Sequence, residues 1–332
     1  MNPLLSLCIP TYNRRDLLLM TLDNLLPQLK QHEIPVYIRD NASPDDTVAM
    51  LERYKAEKYS NLFFKRNPEN LGFDRNLRLV VEDASTEYCW LLGDDDWADD
   101  GAVAAIMSAL SSHVGLVLVN SAAYKHDMQT VVNPDRLGFA EDRLYEADDH
   151  SRLLSDTAQS ASSVSCMVID RLAWLRAAGV NYPKNYSHVG ATFVSVLGKR
   201  AHVIGKPLIK LRVGCSPQAP ALKYEVLMVN WPAAIWGLPA DYADDAKRSI
   251  TMRDRRSSLC CTVAARALGM YNNDIYWEYI AADRGIKKTK KWLLRLVAWV
   301  PKPLCQAGSI AYLCAVRPKG YQVLISDILH TS

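Results

Sequence analysis

"EYCWLLGDDDWADDGAVAAIMSALSSHVGLVLVNSAAY" (residues 87–124) decides how the rest of the chain is read. Its first part is apolar, only long enough for a strand, and ends in three consecutive carboxylates, Asp94, Asp95 and Asp96. "DGAVAAIMSALSS" then has the length and spacing of a helix, and "VGLVLVNSAAY" is a second apolar strand. A strand, a helix-length crossover and another strand predict parallel pairing, and strands this apolar must be covered on both faces. Like charges at the end of a buried strand repel one another, so a cation or a set of donors must offset them.

The same alternation fills the residues before this stretch. "LLSLCIPTY" (4–12) reads as a strand, and the helix after it carries Leu17, Leu18, Thr21, Leu22, Leu25 and Leu26 at helical spacing, with Asn13 or Asp16 as its cap. "PVYIRDNAS" is a second strand, "PDDTVAMLERYKAEK" a helix capped by Ser43 or Asp45, "NLFFKRN" a third strand and "GFDRNLRLVVEDA" a third helix. The expected fold is α/β, a mostly parallel sheet with helices on both faces. Ligands of such sheets bind outside the carboxyl ends of the strands. "TYNRR", "RDNAS", "RNPENLGFDRN" and "GDDD" all fall at those ends.

Beyond residue 124 the signal weakens. Residues 124–160 read as a polar excursion with at most short elements. "SASSVSCMVIDRLAWLRAAG" then resumes a strand and helix, "YSHVGATFVSVLGKR" is a further helix, and "AHVIGKPLIKLRVG" reads as a pair of strands. The sheet domain is expected to span residues 1–215. "CSPQAPALKYE" reads as a linker into a helical region, residues 216–332.

Composition bounds the function. A chain of 332 residues with 49% hydrophobic content can bury a sizeable core. A net charge of +3 and the lack of a basic run interleaved with aromatics in the first half argue against a nucleic-acid partner. The eight cysteines form no CxxC pair and no zinc-type spacing, so reduced, buried thiols are expected. The N-terminus is read as lacking a signal peptide, and no run reaches the 18 or so apolar residues of a spanning helix. A cytoplasmic protein is the expectation.

Adjacent carboxylates at a strand end are hard oxygen ligands for Mg²⁺ or Mn²⁺, which takes one or two protein carboxylates and completes its shell with phosphate oxygens and water. That suggests a substrate with a diphosphate leaving group. "SLCIPTYNRRDLLLMTLDNLL", "IRDNASPDDT", "NLGFDRN" and "WLLGDDDW" together resemble the N-terminal half of bacterial family 2 glycosyltransferases of the GT-A fold, over roughly residues 4–120 and more weakly to about 215. The resemblance implies a nucleoside-diphosphate sugar donor and a divalent metal, Mn²⁺ or Mg²⁺. It places Pro10, Thr11, Tyr12 and Arg14 along the nucleotide pocket, Asp40 at the nucleobase with Asn41 and Ser43 in the same turn, and Asn70, Gly72 and Asn76 in a loop that holds the nucleotide. It assigns the Asp-X-Asp motif to ribose and metal, with Asp94 or Asp95 at the ribose, Asp96 at the metal and Asp94 as a further metal ligand. For Asp40 the alternative is a turn residue capping a helix.

Inverting members of the family carry an acidic base near the start of a later helix. Here that region, "VNYPKNYSHVGATFVSVL", has no carboxylate, and His188 stands in about that place. A histidine can deprotonate an acceptor hydroxyl near neutral pH, and the alternative is an ordinary helix-terminal residue. Asp156 and Asp170 are weaker candidates. In the tail, "IKKTKKWLLRLVAWVPKPLCQAGSIAYLCAV" puts four lysines beside Trp292, as in a helix that lies at a membrane interface, or else one packed on the domain or in a dimer. The membrane reading, together with the resemblance to the abequosyl- and rhamnosyl-type branch, implies a deoxysugar transferred to a lipid-linked oligosaccharide in O-antigen or capsule assembly, on the inner face of the cell membrane. A nucleotidyltransferase and a non-catalytic binding module are the competing classes. "IPTYNRR" lacks the glycine-rich phosphate loop of the former, and the missing acidic base favours the latter.

Overall fold

The structure is a computed structural model that describes residues 4–213, 220–316, 325, 328 and 329. The first half follows the expected alternation: β1 (Leu5–Thr11), α1 (Arg15–Gln31), β2 (Val36–Asp40), α2 (Thr47–Glu57), β3 (Leu62–Arg66), α3 (Phe73–Asp83), β4 (Tyr88–Leu91), the short β5 (Trp97–Ala98), α4 (Ala102–Leu110) and β6 (Leu116–Tyr124). β7 (Val131–Asn133), β8 (Arg143–Tyr145), α5 (His150–Ala161), β9 (Met167–Asp170), α6 (Arg171–Ala177), α7 (Ser187–Ser195) and β10 (Ala201–Arg212) follow. The sheet order is β3-β2-β1-β4-β9-β6-β10-β5, with β7 on β6 and β8 on β10.

Period-2 alternation divides the core into two layers. Leu5, Leu7 and Ile9 of β1 and Trp90 of β4 face one cluster, which α1, α2 and α4 cover. Cys8, Cys89 and Leu91 face the other, under α3, α5, α6 and α7. Leu7 is fully buried between strands, so Leu7→Ala would cost about 3 kcal/mol in lost transfer energy and cavity.

Two departures from the sequence reading matter for the site. The excursion after β6 contains a three-turn helix, α5, whose Leu153, Leu154, Thr157, Ala158 and Ala161 are buried at helical spacing. "AHVIGKPLIKLRVG" is one 12-residue strand, β10, rather than a pair. Its register with β6 shifts between Ile204 and Ile209, where Gly205 and Pro207 bulge the strand without ending it. Gly205 lies against the backbone of Ala140 and Glu141, where a side chain would not fit.

Sheet polarity places the site. β3, β2, β1 and β4 are parallel, so Arg66, Asp40, Thr11 and the carboxylates after Leu91 reach one rim. β9 is antiparallel to β4 and β6 and therefore brings its beginning, not its end, to that rim. β10 runs parallel to β6 and delivers Arg212 there.

The helical region comprises α8 (Pro220–Tyr224), α9 (Trp231–Trp236), α10 (Asp244–Ile250), α11 (Leu259–Ala267), α12 (Asn273–Tyr276), α13 (Lys288–Trp299) and α14 (Lys302–Val316), with π-helical turns at Glu225–Asn230 and Trp277–Ala281. Trp231, Ile235, Leu238 and Tyr242 pack into the apolar layer beneath α5–α7. Residues from Tyr224 to Ala298 form a separate cluster. Of the expected linker, Cys215 to Ala219 lie outside the described residues, and the remainder is helical rather than a linker, beginning with α8.

Candidate active site

The three carboxylates are balanced by donors from three distant parts of the chain. Arg14, in the turn after β1, bridges Asp94 Oδ1 at 3.0 Å and Asp95 Oδ2 at 2.9 Å. Thr11 Oγ1 donates to Asp94 Oδ2 at 2.8 Å, and Thr21 of α1 donates to the Asp94 carbonyl at 3.1 Å. Asp96 accepts a short hydrogen bond from the Ser165 hydroxyl and another, at 3.0 Å, from the Arg212 backbone N–H. Gly93 donates to Ser165 Oγ at 2.9 Å, and a Cβ at Gly93 would lie 3.0–3.3 Å from the carboxylate oxygens of Asp95 and Asp96 and from Ser165 Oγ. A side chain there would crowd the carboxylates and Ser165 by a few tenths of an ångström.

The balance is incomplete. Asp94 and Asp96 are buried, and burial together with repulsion from Asp95 pushes their pKa values up to about 6 and about 7, against the lowering effect of Arg14 on Asp94 and of Ser165 and Arg212 on Asp96. Each carboxylate has about four acceptor positions, so the bonds above leave lone pairs free. Among the described residues no group of three His, Cys, Asp or Glu side chains forms a ready-made metal cage. Hard carboxylate oxygens with uncompensated charge nonetheless fit Mg²⁺ or Mn²⁺ held by one or two protein ligands and substrate phosphates.

A cleft of about 450 Å³ opens over this cluster, lined by Pro10, Thr11, Tyr12, Arg14, Asn41, Asn70, Gly72, Phe73, Asn76, Gly93, Asp94, Asp95, Asp96 and Val164. An amide network holds its far wall. Asn41 donates to Asn70 Oδ1 at 2.8 Å and accepts from Asn67 Nδ2 at 2.8 Å and from the Leu71 N–H at 2.9 Å, while Asn76 accepts from Asn67 and donates to the Arg39 carbonyl. A larger hollow of about 820 Å³ lies by Tyr37, Lys55 and Phe63 at the outer edge of the sheet, away from the carboxylates. Convergent polar groups, not size, single out the smaller one.

Three sequence candidates lie off the cleft wall. Asp40 is fully buried, and its carboxylate turns back to accept from the Ser43 N–H at 3.1 Å and from the Ser43 hydroxyl, with Arg66 at 3.6 Å. Ser43 Oγ accepts from the Asn13 N–H at 2.8 Å, so both residues lock the turn beside Asn41. His188, in the first turn of α7, is 3% exposed and sits behind Phe73, whose ring meets it edge-on at 5.9 Å. Its Nε2 lies 3.2 Å from the Ser162 carbonyl, which requires the proton on Nε2 and leaves Nδ1 as the bare nitrogen, buried with no hydrogen-bond partner among the described residues. Burial lowers its pKa and keeps the ring neutral. Of the weaker candidates, Asp170 caps α6 and pairs with Lys199 at 2.7 Å, and Asp156 accepts from the Tyr145 hydroxyl.

Among the participants that escaped the sequence reading are Thr21, Asn67, Phe73, Val164, Ser165 and Arg212. Arg212 is 8% exposed, donates through Nε to the Asp95 carbonyl at 3.0 Å and through Nη1 to the His126 carbonyl, and lies over the Trp97 ring at 5.6 Å. Its Nη2 is buried with no hydrogen-bond partner among the described residues. Nothing local marks Ser165 or Arg212, because only sheet pairing brings them to the rim.

Comparison with known proteins agrees with this geometry. Residues 6–165 match the sequence profile described as Glycosyl transferase family 2. Abequosyltransferase RfbV of Salmonella typhimurium strain LT2 is 30% identical over 224 residues, 63% of this chain and 66% of that protein. The chain belongs to the family 2 glycosyltransferases. This family 2 chain shares its GT-A fold with Staphylococcus aureus TarS 1–349, solved with UDP-GlcNAc, at a TM-score of 0.58 and 15% identity over 89% of this chain and 90% of that one. Mannosyltransferase PcManGT from Pyrobaculum calidifontis, solved with GDP-Man and Mn²⁺, aligns at a TM-score of 0.55 and 15% identity over 99% and 85% of the two chains. At such identities the structural likeness speaks for the fold alone.

Proposed function

We propose that the chain transfers a sugar, of the deoxyhexose class, from a nucleoside-diphosphate donor to a hydroxyl of a lipid-linked oligosaccharide at the inner face of the cell membrane, in O-antigen-type or capsular assembly. One observation carries the reading: three consecutive carboxylates, two with raised pKa, converge with Arg14 and Thr11 in a cleft at the carboxyl ends of parallel strands. The deoxysugar rests on the relative's name, abequosyltransferase, and on the sequence resemblance.

In this reading residues 1–215 bind the donor and residues 216–332 serve the acceptor side. Asp94 and Asp96 would hold Mn²⁺ or Mg²⁺, which when bound neutralises charge on the departing diphosphate. Arg14, on the cleft wall, supplies a donor for phosphate oxygens, an electrostatic role that needs no reorganisation because its guanidinium is already held by Asp94 and Asp95, while Arg212 fixes Asp95 and Asp96 from behind. The Asn41–Asn67–Asn76 network keeps the nucleotide side rigid. Asp40 and Ser43 act by shaping the turn that presents Asn41. His188 is the base, because its neutral ring has a free Nδ1 lone pair. Phe73 must turn aside for an acceptor hydroxyl to reach it.

The burial of His188 favours a second reading, a binding module without turnover. Calorimetric titration with UDP, GDP, CDP and dTDP, with and without Mn²⁺, tests the donor site. Metal-dependent binding of one nucleotide, lost in Asp96→Ala, is expected, and failure of all four to bind would overturn the proposal. Sugar transfer to a lipid-linked acceptor then separates the enzyme from the binding module.

A further inference from the structure

α13 is apolar on two opposite faces. Leu294, Val297 and Ala298 are buried against the helical region. Trp292, Leu296 and Trp299, at i, i+4 and i+7, form a second stripe on the opposite side, and the two tryptophans are 61% and 69% exposed. The stripe continues through Arg295 to Trp277. Arg295 lies over the ring of Trp277 at 5.3 Å, Trp277 is itself 53% exposed, and Leu304, Tyr312 and Val316 of α14 are exposed as well. A helix in water normally has one apolar face. A second, built from large aromatic side chains, needs a partner.

Charge states which partner. Residues 284–326 hold nine Lys and Arg and no acidic residue, in a chain whose net charge is only +3, so the remainder is net acidic. Lys287, Lys288, Lys290 and Lys291 gather at the start of α13, beside Trp292. Apposing two copies of this face would bring two cationic segments together, which disfavours self-association. Tryptophan flanked by lysine is the pairing suited to the interface of a bilayer with anionic headgroups, where the ring sits at headgroup depth and each lysine gains from the negative surface potential. No described helix is long and apolar enough to cross a membrane, so contact would be from one side.

We infer that the outer face of α13, extended by Trp277, docks the protein onto an anionic lipid surface. This deepens the lipid-linked acceptor reading by naming the residues that bring the enzyme to its substrate. The tryptophans anchor by apolar contact, and the lysines select anionic lipid.

Vesicle flotation of the full chain tests the inference, with phosphatidylcholine vesicles with and without phosphatidylglycerol. The wild type is expected to float only with the anionic vesicles and to be released by high salt. Trp292→Ala with Trp299→Ala should weaken binding at least about tenfold, and Lys287→Gln with Lys288→Gln and Lys290→Gln by roughly 100-fold. Because these side chains are exposed, the melting temperature should stay unchanged in both variants, and the lysine variant provides the test if the tryptophan variant does not fold. Absence of flotation, flotation indifferent to both variants, or a concentration-dependent dimer that the tryptophan changes abolish would each overturn the inference. Nucleotide titration on the same preparations keeps the two proposals apart. Intact nucleotide binding without flotation removes the docking face alone, and flotation without nucleotide binding removes the donor reading alone.

Discussion

Asp94, Asp95 and Asp96 are like charges packed at the end of a buried strand, whereas Lys287, Lys288, Lys290 and Lys291 are like charges gathered in water at the start of α13. The acidic group is held by Thr11, Arg14, Ser165 and the Arg212 N–H, all fixed by the fold. The basic group has few internal partners: Lys291 reaches the Ala281 carbonyl at 2.6 Å and Lys290 lies 3.5 Å from Ser257 Oγ. Repulsion kept inside the protein is held in place for a small ligand of opposite charge, while repulsion left in solvent costs little and is free to meet a surface.

The largest expected effect falls on the acidic side. Asp96→Ala should lower the rate of sugar transfer by about 1,000-fold, while the melting temperature holds, because one buried repelling charge is gone. An Asp96→Ala enzyme with the wild-type rate would remove the metal assignment. Next comes pH. Folded pKa values raised above the ordinary carboxylate value mean that these two groups favour the folded state below about pH 4 and progressively less as pH rises through 6 and 7. A metal must displace those protons, so the apparent Mn²⁺ affinity should rise up to about 1,000-fold between pH 5 and pH 8 and then level off. Calorimetry across that range, paired with thermal melts with and without chelator, checks the sign.

His188→Ala should reduce kcat about 100-fold and abolish the alkaline plateau of the pH–rate profile; an unchanged kcat would return the residue to the packing role its burial suggests. Arg14→Gln leaves Asp94 and Asp95 facing each other, and because Arg14 is partly solvated the cost should be about 1 kcal/mol at pH 8 and smaller at pH 5. Denaturant melts at the two pH values measure it. On the basic side, Lys287→Gln with Lys288→Gln should change stability by no more than about 0.5 kcal/mol at any pH. A larger loss would mean that these lysines hold the fold, and the contrast between the two clusters would fail.

The contrast also explains what was legible in the sequence. Strands and helices up to residue 124 could be read because each stretch between turns is either apolar throughout or apolar at one helical period. The carboxylates and the "TYNRR" and "RDNAS" turns followed from strand ends in a parallel sheet. Asp40 was harder, since a carboxylate three residues before a serine suits a turn as well as a ligand, and its oxygens are in fact satisfied by Ser43. α5 carried a helical pattern that the surrounding polar residues obscured. β10 looked like two strands because Gly205 and Pro207 are turn residues that here make a bulge. Ser165 and Arg212 could not be found by any local rule, since their place depends on the antiparallel insertion of β9 and the late arrival of β10.

That late arrival affects how the site comes into being. Asp96 is joined to Ser165 across 69 positions and to the Arg212 N–H across 116. Closing such long loops is slow, and proteins of this size fold through partly assembled states. As the chain emerges during synthesis, the first four strands and their helices can collapse while Asp96 still has no donor, and the rim stays hydrated until β10 docks. Mutations that slow the docking of β10 would therefore lower the yield of competent molecules, even where the finished fold is no less stable.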